Sequence, residues 1–166
     1  MMRILLDADA SIKLTKIGII ETFVFGFEVI LTNDVYDEHV VAGLSRNYQD
    51  AKIMEKLVEE GKVFVADVTY KSPVFDKITL GRGEKSVINY YLGGNNIDLI
   101  VSDDEAFLKV LDRFDIPFTP VAGVILMCVI RELISKEKGF RYLESLKPMI
   151  KDEHMFYMKS KIEELL

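Results

Sequence analysis

Apolar residues fall along this chain in two rhythms. Short unbroken blocks, Arg3 to Leu6, Gly26 to Leu31, Val63 to Ala66 and Ile97 to Val101, have the length and β-branched content of strands buried on both faces. Ile116 to Thr119 reads as a short edge strand. Between the blocks the spacing turns helical. Ile12, Leu14, Ile17, Ile19, Ile20 and Phe23 recur at helical intervals, with Lys13, Lys16 and Glu21 between them. Thr32-Asn33-Asp34 opens a helix, and a charged helix from about Tyr48 to Glu60 sets Ala51, Met54, Leu57 and Val58 on one face before Gly61 closes it. Gly81-Arg82-Gly83 opens another, which runs to Gly93-Gly94. From Val121 the pattern is helical to the end, punctuated by Gly139 and Pro148. Asp67 to Leu80 is the least regular stretch. Strands alternating with helices predict an α/β fold in three layers, with a central parallel sheet of four or five strands flanked by helices.

Length adds that this is one domain, since 166 residues are too few for two comfortable ones. With 49% hydrophobic residues a sizeable core is expected. The single Cys128 lies in an apolar run and reads as a buried core residue in a reducing compartment. That run stops at Arg131, short of a membrane span, and Asp7 interrupts the N-terminus where a signal peptide stays apolar. A cytoplasmic protein with no membrane partner is expected.

Charge sharpens the picture. There are 21 Lys and Arg against 27 Asp and Glu, a net charge of -6, which argues against a broad basic grip on nucleic acid. The acidic residues that stand out follow strand ends. Asp7 comes directly after the first strand with Asp9 two residues on, Glu38 lies in the helix after the second, Glu84 begins the helix after Gly81-Arg82-Gly83, and Asp103 and Asp104 follow the fourth strand. In parallel sheets the functional crevice lies at those ends. Carboxylates brought together repel, so a cation is expected among them. Oxygen ligands without a His or Cys cluster favour Mg²⁺ or Mn²⁺, since His39 and His154 make no zinc spacing. Each acid also has a plainer role: Ser102 to Glu105 reads as a capping box, and first-turn acids suit a helix dipole.

The segments Ile4-Leu5-Leu6-Asp7-Ala8-Asp9, Leu31 to Glu38, Leu80-Gly81-Arg82-Gly83-Glu84, Leu99 to Asp104 and Ile116 to Ile125 together resemble the PIN-domain family, which includes the VapC-type toxins. The tail, 139–166, is similar to a subgroup with a C-terminal helical extension, which would make 1–166 a single PIN-like domain. The resemblance implies a metal-binding and catalytic quartet of Asp7, Glu38, Glu84 and Asp103, with Asp104 and Asp9 as further metal-binding neighbours. It implies Mg²⁺- or Mn²⁺-dependent hydrolysis of RNA, a homodimer, and the toxin role in a toxin–antitoxin pair with an antitoxin protein as partner. Arg82, Lys13 and Lys109 are candidates for holding substrate phosphates. Ala8 and Asp9 stand where many members have hydroxyl or amide residues, and Leu108 stands where many have a basic one.

Two other readings stay open. One is a PIN-like scaffold that binds a partner or RNA with weak or no cleavage. The other is a haloacid-dehalogenase-like phosphatase, in which Asp7-Ala8-Asp9 would be nucleophile and acid, although Ala10-Ser11 departs from that motif and Glu38 and Glu84 are left without a role.

Overall fold

A computed structural model of the chain describes residues 1–165. Five strands, β1 (Arg3–Leu6), β2 (Glu28–Thr32), β3 (Val63–Ala66), β4 (Leu99–Val101) and β5 (Phe118–Thr119), form one parallel sheet in the order β3-β2-β1-β4-β5. The chain begins in the middle, winds outward through β2 and β3, then crosses back to add β4 and β5 on the other side. That reversal leaves a crevice beyond the carboxyl ends of β1 and β4. Leu6 is in register with Val101, and the Asp7 N–H donates to the Val101 carbonyl at 3.2 Å. Asp7 and Ser102 are therefore the first residues off the sheet on its two central strands.

Helices cover the sheet. They are α1 (Ala8–Lys16), α2 (Ile20–Gly26), α3 (Asn33–Tyr36), α4 (Ala42–Ser45), α5 (Gln49–Glu59), α6 (Arg82–Leu92), α7 (Glu105–Arg113), α8 (Val121–Ile130), α9 (Lys136–Leu146) and α10 (Asp152–Glu164). Helix α1 packs against α2, α5 and α8, whereas α6 packs on β2 and α3. The buried strand residues explain the blocky sequence: Ile4, Leu5, Leu6, Leu31, Ile100 and Val101 are fully buried, so no polar face alternates with them. Helices α9 and α10 lie on α8 and bury Leu143, Leu146, Met155, Met158 and Ile162 in the same apolar cluster as the sheet. Each such side chain contributes about 1.5–3 kcal/mol of burial. Cys128 is buried there too, its thiol pushed up to about 12 by desolvation, as befits an inert core residue. Among the described residues no helix is long and apolar enough to cross a membrane.

The structure corrects several details. The strands are shorter than the apolar blocks: β2 begins at Glu28, β4 at Leu99 and β5 at Phe118. Phe27, Ile97 and Ile116 are buried without belonging to the ladder, because burial needs only an apolar side chain, not backbone pairing. The helical stretch after Asp7 is two helices, broken where Gly18 takes φ +84°. Gly139 lies inside α9, and the break comes earlier, around Glu132, which takes φ 58°. Ser102 does not cap α7. Asp104 does, its Oδ1 accepting the Phe107 N–H at 2.8 Å, because the Ser102 hydroxyl is turned the other way, onto Asp7.

Candidate metal centre

Asp7 is held where water hardly reaches. It is 4% exposed, with Oδ1 accepting the Ala10 N–H at 2.8 Å and Oδ2 accepting the Ser102 hydroxyl. The first contact makes Asp7 the N-cap of α1, so one side chain ends the central strand and starts the next helix. Burial pushes its carboxyl up to about 7, with the Asp9 and Asp103 charges adding to the rise while the Ser102 and Ala10 hydrogen bonds oppose it. A carboxylate in this state lacks a counter-charge. A buried carboxyl so perturbed marks a candidate functional site.

Asp103 leaves β4 and faces α1. Its Oδ2 accepts from Lys13 Nζ at 2.9 Å, and its Oδ1 accepts the Val121 N–H at 2.8 Å, fixing the start of α8. Lys13 also reaches Asp9 at 2.8 Å, one turn back on α1. Burial works against the Lys13 ammonium, yet its hydrogen bonds to Asp9 and Asp103 outweigh that and hold its pKa above the ordinary lysine value. His154, on α10, brings Nδ1 to 3.9 Å from Asp103 Oδ1.

The other acids belong to the turn between α3 and α4, to α6 and to the N-cap of α7. After α3 the chain widens into a π-helical turn, Asp37–Val41, which carries Glu38 toward α6. Glu38 Oε1 accepts the Gly83 N–H at 3.0 Å. A β-carbon at Gly83 would stand 2.8 Å and 2.9 Å from the two Glu38 oxygens, so glycine makes room for that carboxylate. Glu84 is half-buried, and its carboxyl is raised by burial and then by the charges of Asp104 and Glu38. Asp104 is tied back to Asp7 through Ser102, whose hydroxyl oxygen also accepts the Asp104 N–H at 3.1 Å.

All six predicted acids thus lie along the carboxyl edge of the sheet, in two linked sets: Asp7, Asp9 and Asp103 around α1, and Glu38, Glu84 and Asp104 around the start of α6. Among the described residues no three His, Cys, Asp or Glu side chains are close-set enough to hold an ion as they stand. Hydrogen-bond donors and Lys13 occupy oxygens instead. The predicted substrate cations are likewise engaged: Lys13 as above, exposed Arg82 with Asp34 at 2.6 Å and Asp37 at 3.3 Å, and exposed Lys109 beside Glu105 at 3.8 Å.

A search for similar curated proteins finds no match. A family model described as a PIN domain matches residues 3–166. The chain belongs to the PIN-domain family. Its five-stranded parallel sheet is that expected of a PIN domain, whose fold is generally that of nucleases, and the match runs through α9 and α10. Membership also removes the ground for the haloacid-dehalogenase-like reading.

The donor set fits a hard divalent ion. It consists of carboxylate oxygens, two of whose owners, Asp7 and Glu84, carry raised pKa values from burial and mutual repulsion. In this PIN domain the extension adds a signal as well, because His154 Nδ1 is buried and without a hydrogen-bond partner among the described residues.

Sequence reading passed over one polar chain. Ser11 Oγ lies 2.7 Å from His39 Nδ1, and His39 Nε2 lies 3.0 Å from Asp50 Oδ2, all buried. A carboxylate can only accept, so Nε2 donates to Asp50 and Nδ1 accepts from the Ser11 hydroxyl. The order is that of a hydrolase triad, but Ser11 is fully buried and no substrate reaches it. The chain instead ties α1 and α5 to the π-helical turn that bears Glu38. Burial lowers the His39 pKa despite the pull of Asp50, keeping the ring neutral. Its one sequence trace is a His in an otherwise apolar helix face.

Proposed function

We propose that this PIN-domain protein is a metal-dependent endoribonuclease that hydrolyses phosphodiester bonds in single-stranded RNA. The observation that carries the reading is Asp7: buried at the end of the central strand, raised to about 7, and flanked by Asp9 and Asp103. Asp7, Glu38, Glu84 and Asp103 would hold the ion, with Asp104 and Asp9 beside them. A bound Mg²⁺ or Mn²⁺ supplies a water of lowered pKa and charge opposite the phosphoryl oxygens. The residues of the chain do the rest. Ser102 and the Ala10 N–H fix the two oxygens of Asp7, Gly83 seats Glu38, and Val121 with Lys13 fixes Asp103.

The test is cleavage of labelled single-stranded RNA while Mn²⁺ or Mg²⁺ is titrated. The parent cuts in a metal-dependent manner and Asp7→Asn loses cleavage by at least about a hundredfold. If Asp7→Asn, Glu38→Gln and Asp103→Asn all cut like the parent, the assignment is wrong. A parent that binds RNA but never cuts it is the non-catalytic scaffold. The toxin role, the antitoxin and the homodimer extend this proposal on the VapC-type resemblance alone. Light scattering of the purified chain and co-purification with the product of a neighbouring gene test them.

A further inference from the structure

One buried line of side chains bridges the two sets of acids. Ser11 stands one turn along α1 from Asp7, its N–H donating to the Asp7 carbonyl at 3.0 Å. Ser11 Oγ meets His39 Nδ1 at 2.7 Å, and His39 Nε2 meets Asp50 Oδ2 at 3.0 Å. His39 is the residue after Glu38, in the π-helical turn. The helix that Asp7 starts and the turn that bears Glu38 are thus joined through a hydroxyl and a ring, with α5 behind them.

That turn needs holding. Its width shows in the Ala42 N–H, which donates to the Asp37 carbonyl five residues back. Such turns are rare and recur at functional sites. Both ends are anchored here. The Thr32 hydroxyl oxygen accepts the Val35 N–H at 3.2 Å at the start of α3, and α4 lies so close on α5 that a β-carbon at Gly43 would stand 2.6 Å from that of Ala51. Relaxation to a regular α-turn would rotate the side chains on one side of it by about 100° around the helix axis. Glu38 is exposed, and its one hydrogen bond among the described residues comes from the Gly83 N–H. The backbone beneath it therefore sets its place. Apolar side chains would fill the space of the buried line equally well, because matched polar groups add little stability over well-packed apolar ones. What hydrogen bonds add is direction, since they fix both distance and angle.

We propose that the Ser11–His39–Asp50 line is a brace that sets the separation of Asp7 and Glu38, making His39 a positioning residue for the metal centre. The inference rests on the metal-dependent reading above. Carboxylate oxygens must come within about 2.0–2.1 Å of an ion such as Mg²⁺ in near-octahedral geometry. A displacement of Glu38 by roughly 0.5 Å is then enough to weaken binding.

The test is Mn²⁺ affinity, by isothermal titration and by the electron paramagnetic resonance of free Mn²⁺, at a temperature where circular dichroism shows the variants folded. His39→Leu weakens binding about tenfold. His39→Gln stays within about twofold of the parent, because its amide N–H donates to Asp50 while its amide oxygen accepts from Ser11. In a Glu38→Gln background His39→Leu makes no further difference, the mark of action through Glu38. Leu143→Ala, at a buried position of α9, lowers the melting temperature and leaves Mn²⁺ affinity at the parent value. Ser11→Ala removes one oxygen at a helix position that suits alanine. It weakens binding about threefold and decides the matter if His39→Leu does not fold. Parent affinity in His39→Leu or Ser11→Ala, no rescue by His39→Gln, the same weakening in the Glu38→Gln background, or an equal loss in Leu143→Ala overturns the proposal. Each of those results leaves the metal-dependent reading standing. A parent that binds no Mn²⁺ removes that reading, and this inference with it.

Discussion

Asp7 is raised to about 7 in the folded chain from an ordinary carboxyl value of 3.8, so the folded state holds its proton over a pH range in which the unfolded state has released it. Between those values stability falls as pH rises, and above about 7 the loss is complete. Asp7→Asn removes the buried charge. In metal-free protein the variant should melt close to the parent at pH 4 and above it at pH 8, by an amount on the order of a few kcal/mol. Calorimetry at the two pH values checks this, and a parent no less stable than the variant at pH 8 refutes it. Mn²⁺ should raise the melting temperature of the parent much more than that of the variant, since a ligand bound only by the folded state stabilises it. Gly83 permits a second test. Alanine suits a helix better by up to about 1 kcal/mol, but its β-carbon would crowd the Glu38 oxygens. Gly83→Ala should therefore keep or gain stability while weakening Mn²⁺ binding roughly tenfold, measured by isothermal titration. Asp7 was legible in the sequence because a carboxylate abutting an apolar block has few ordinary uses. His154 was not. Its approach to Asp103 is made only when α10 folds back over α8.

At the scale of elements, caps and turns decide which side chains reach the site. The motif Ser102 to Glu105 satisfies the sequence rule for a capping box, yet Asp104 caps α7 and frees Ser102 to serve Asp7. A local rule cannot see that competition, because the rival acceptor arrives from β1. The π-helical turn is similar. A regular helix through Asp37–Val41 would satisfy the sequence pattern equally well, and what departs from it is held by Ser11, His39 and Asp50. His39→Ala should leave the hydroxyl and the carboxylate unpaired and cost about 2–4 kcal/mol, read by urea unfolding. Because the His39 pKa is depressed in the folded state, its contribution is present above the ordinary histidine value and is lost as pH falls below it. Acid therefore destabilises the parent through His39, and His39→Ala should flatten that part of the profile.

For the whole molecule, the alternation of apolar blocks with helical spacing was enough to give the parallel sheet, since fully buried strands leave no other pattern. The strand order was not readable from spacing, and it is the order that matters for chemistry: β1 and β4 side by side put Asp7 next to Ser102 and Asp103 although they are distant in sequence. The net charge of -6 also finds a place, since a row of acids along one sheet edge is tolerated where donors and Lys13 answer it.

Lys13 makes the protein its own placeholder. On the proposed metal-dependent reading, an ammonium parked between Asp9 and Asp103 would stand in for the ion in the empty protein, and metal uptake would be an exchange in which one tethered positive group gives way to another. Apparent affinity is then a difference, set as much by how easily the lysine swings out as by what the incoming ion gains. Lys13→Met should leave the empty protein about 1–3 kcal/mol less stable and let Mn²⁺ bind more tightly, so that thermal shift and titration move in opposite senses. Unaltered titration in that variant would mean the lysine never stood in the way.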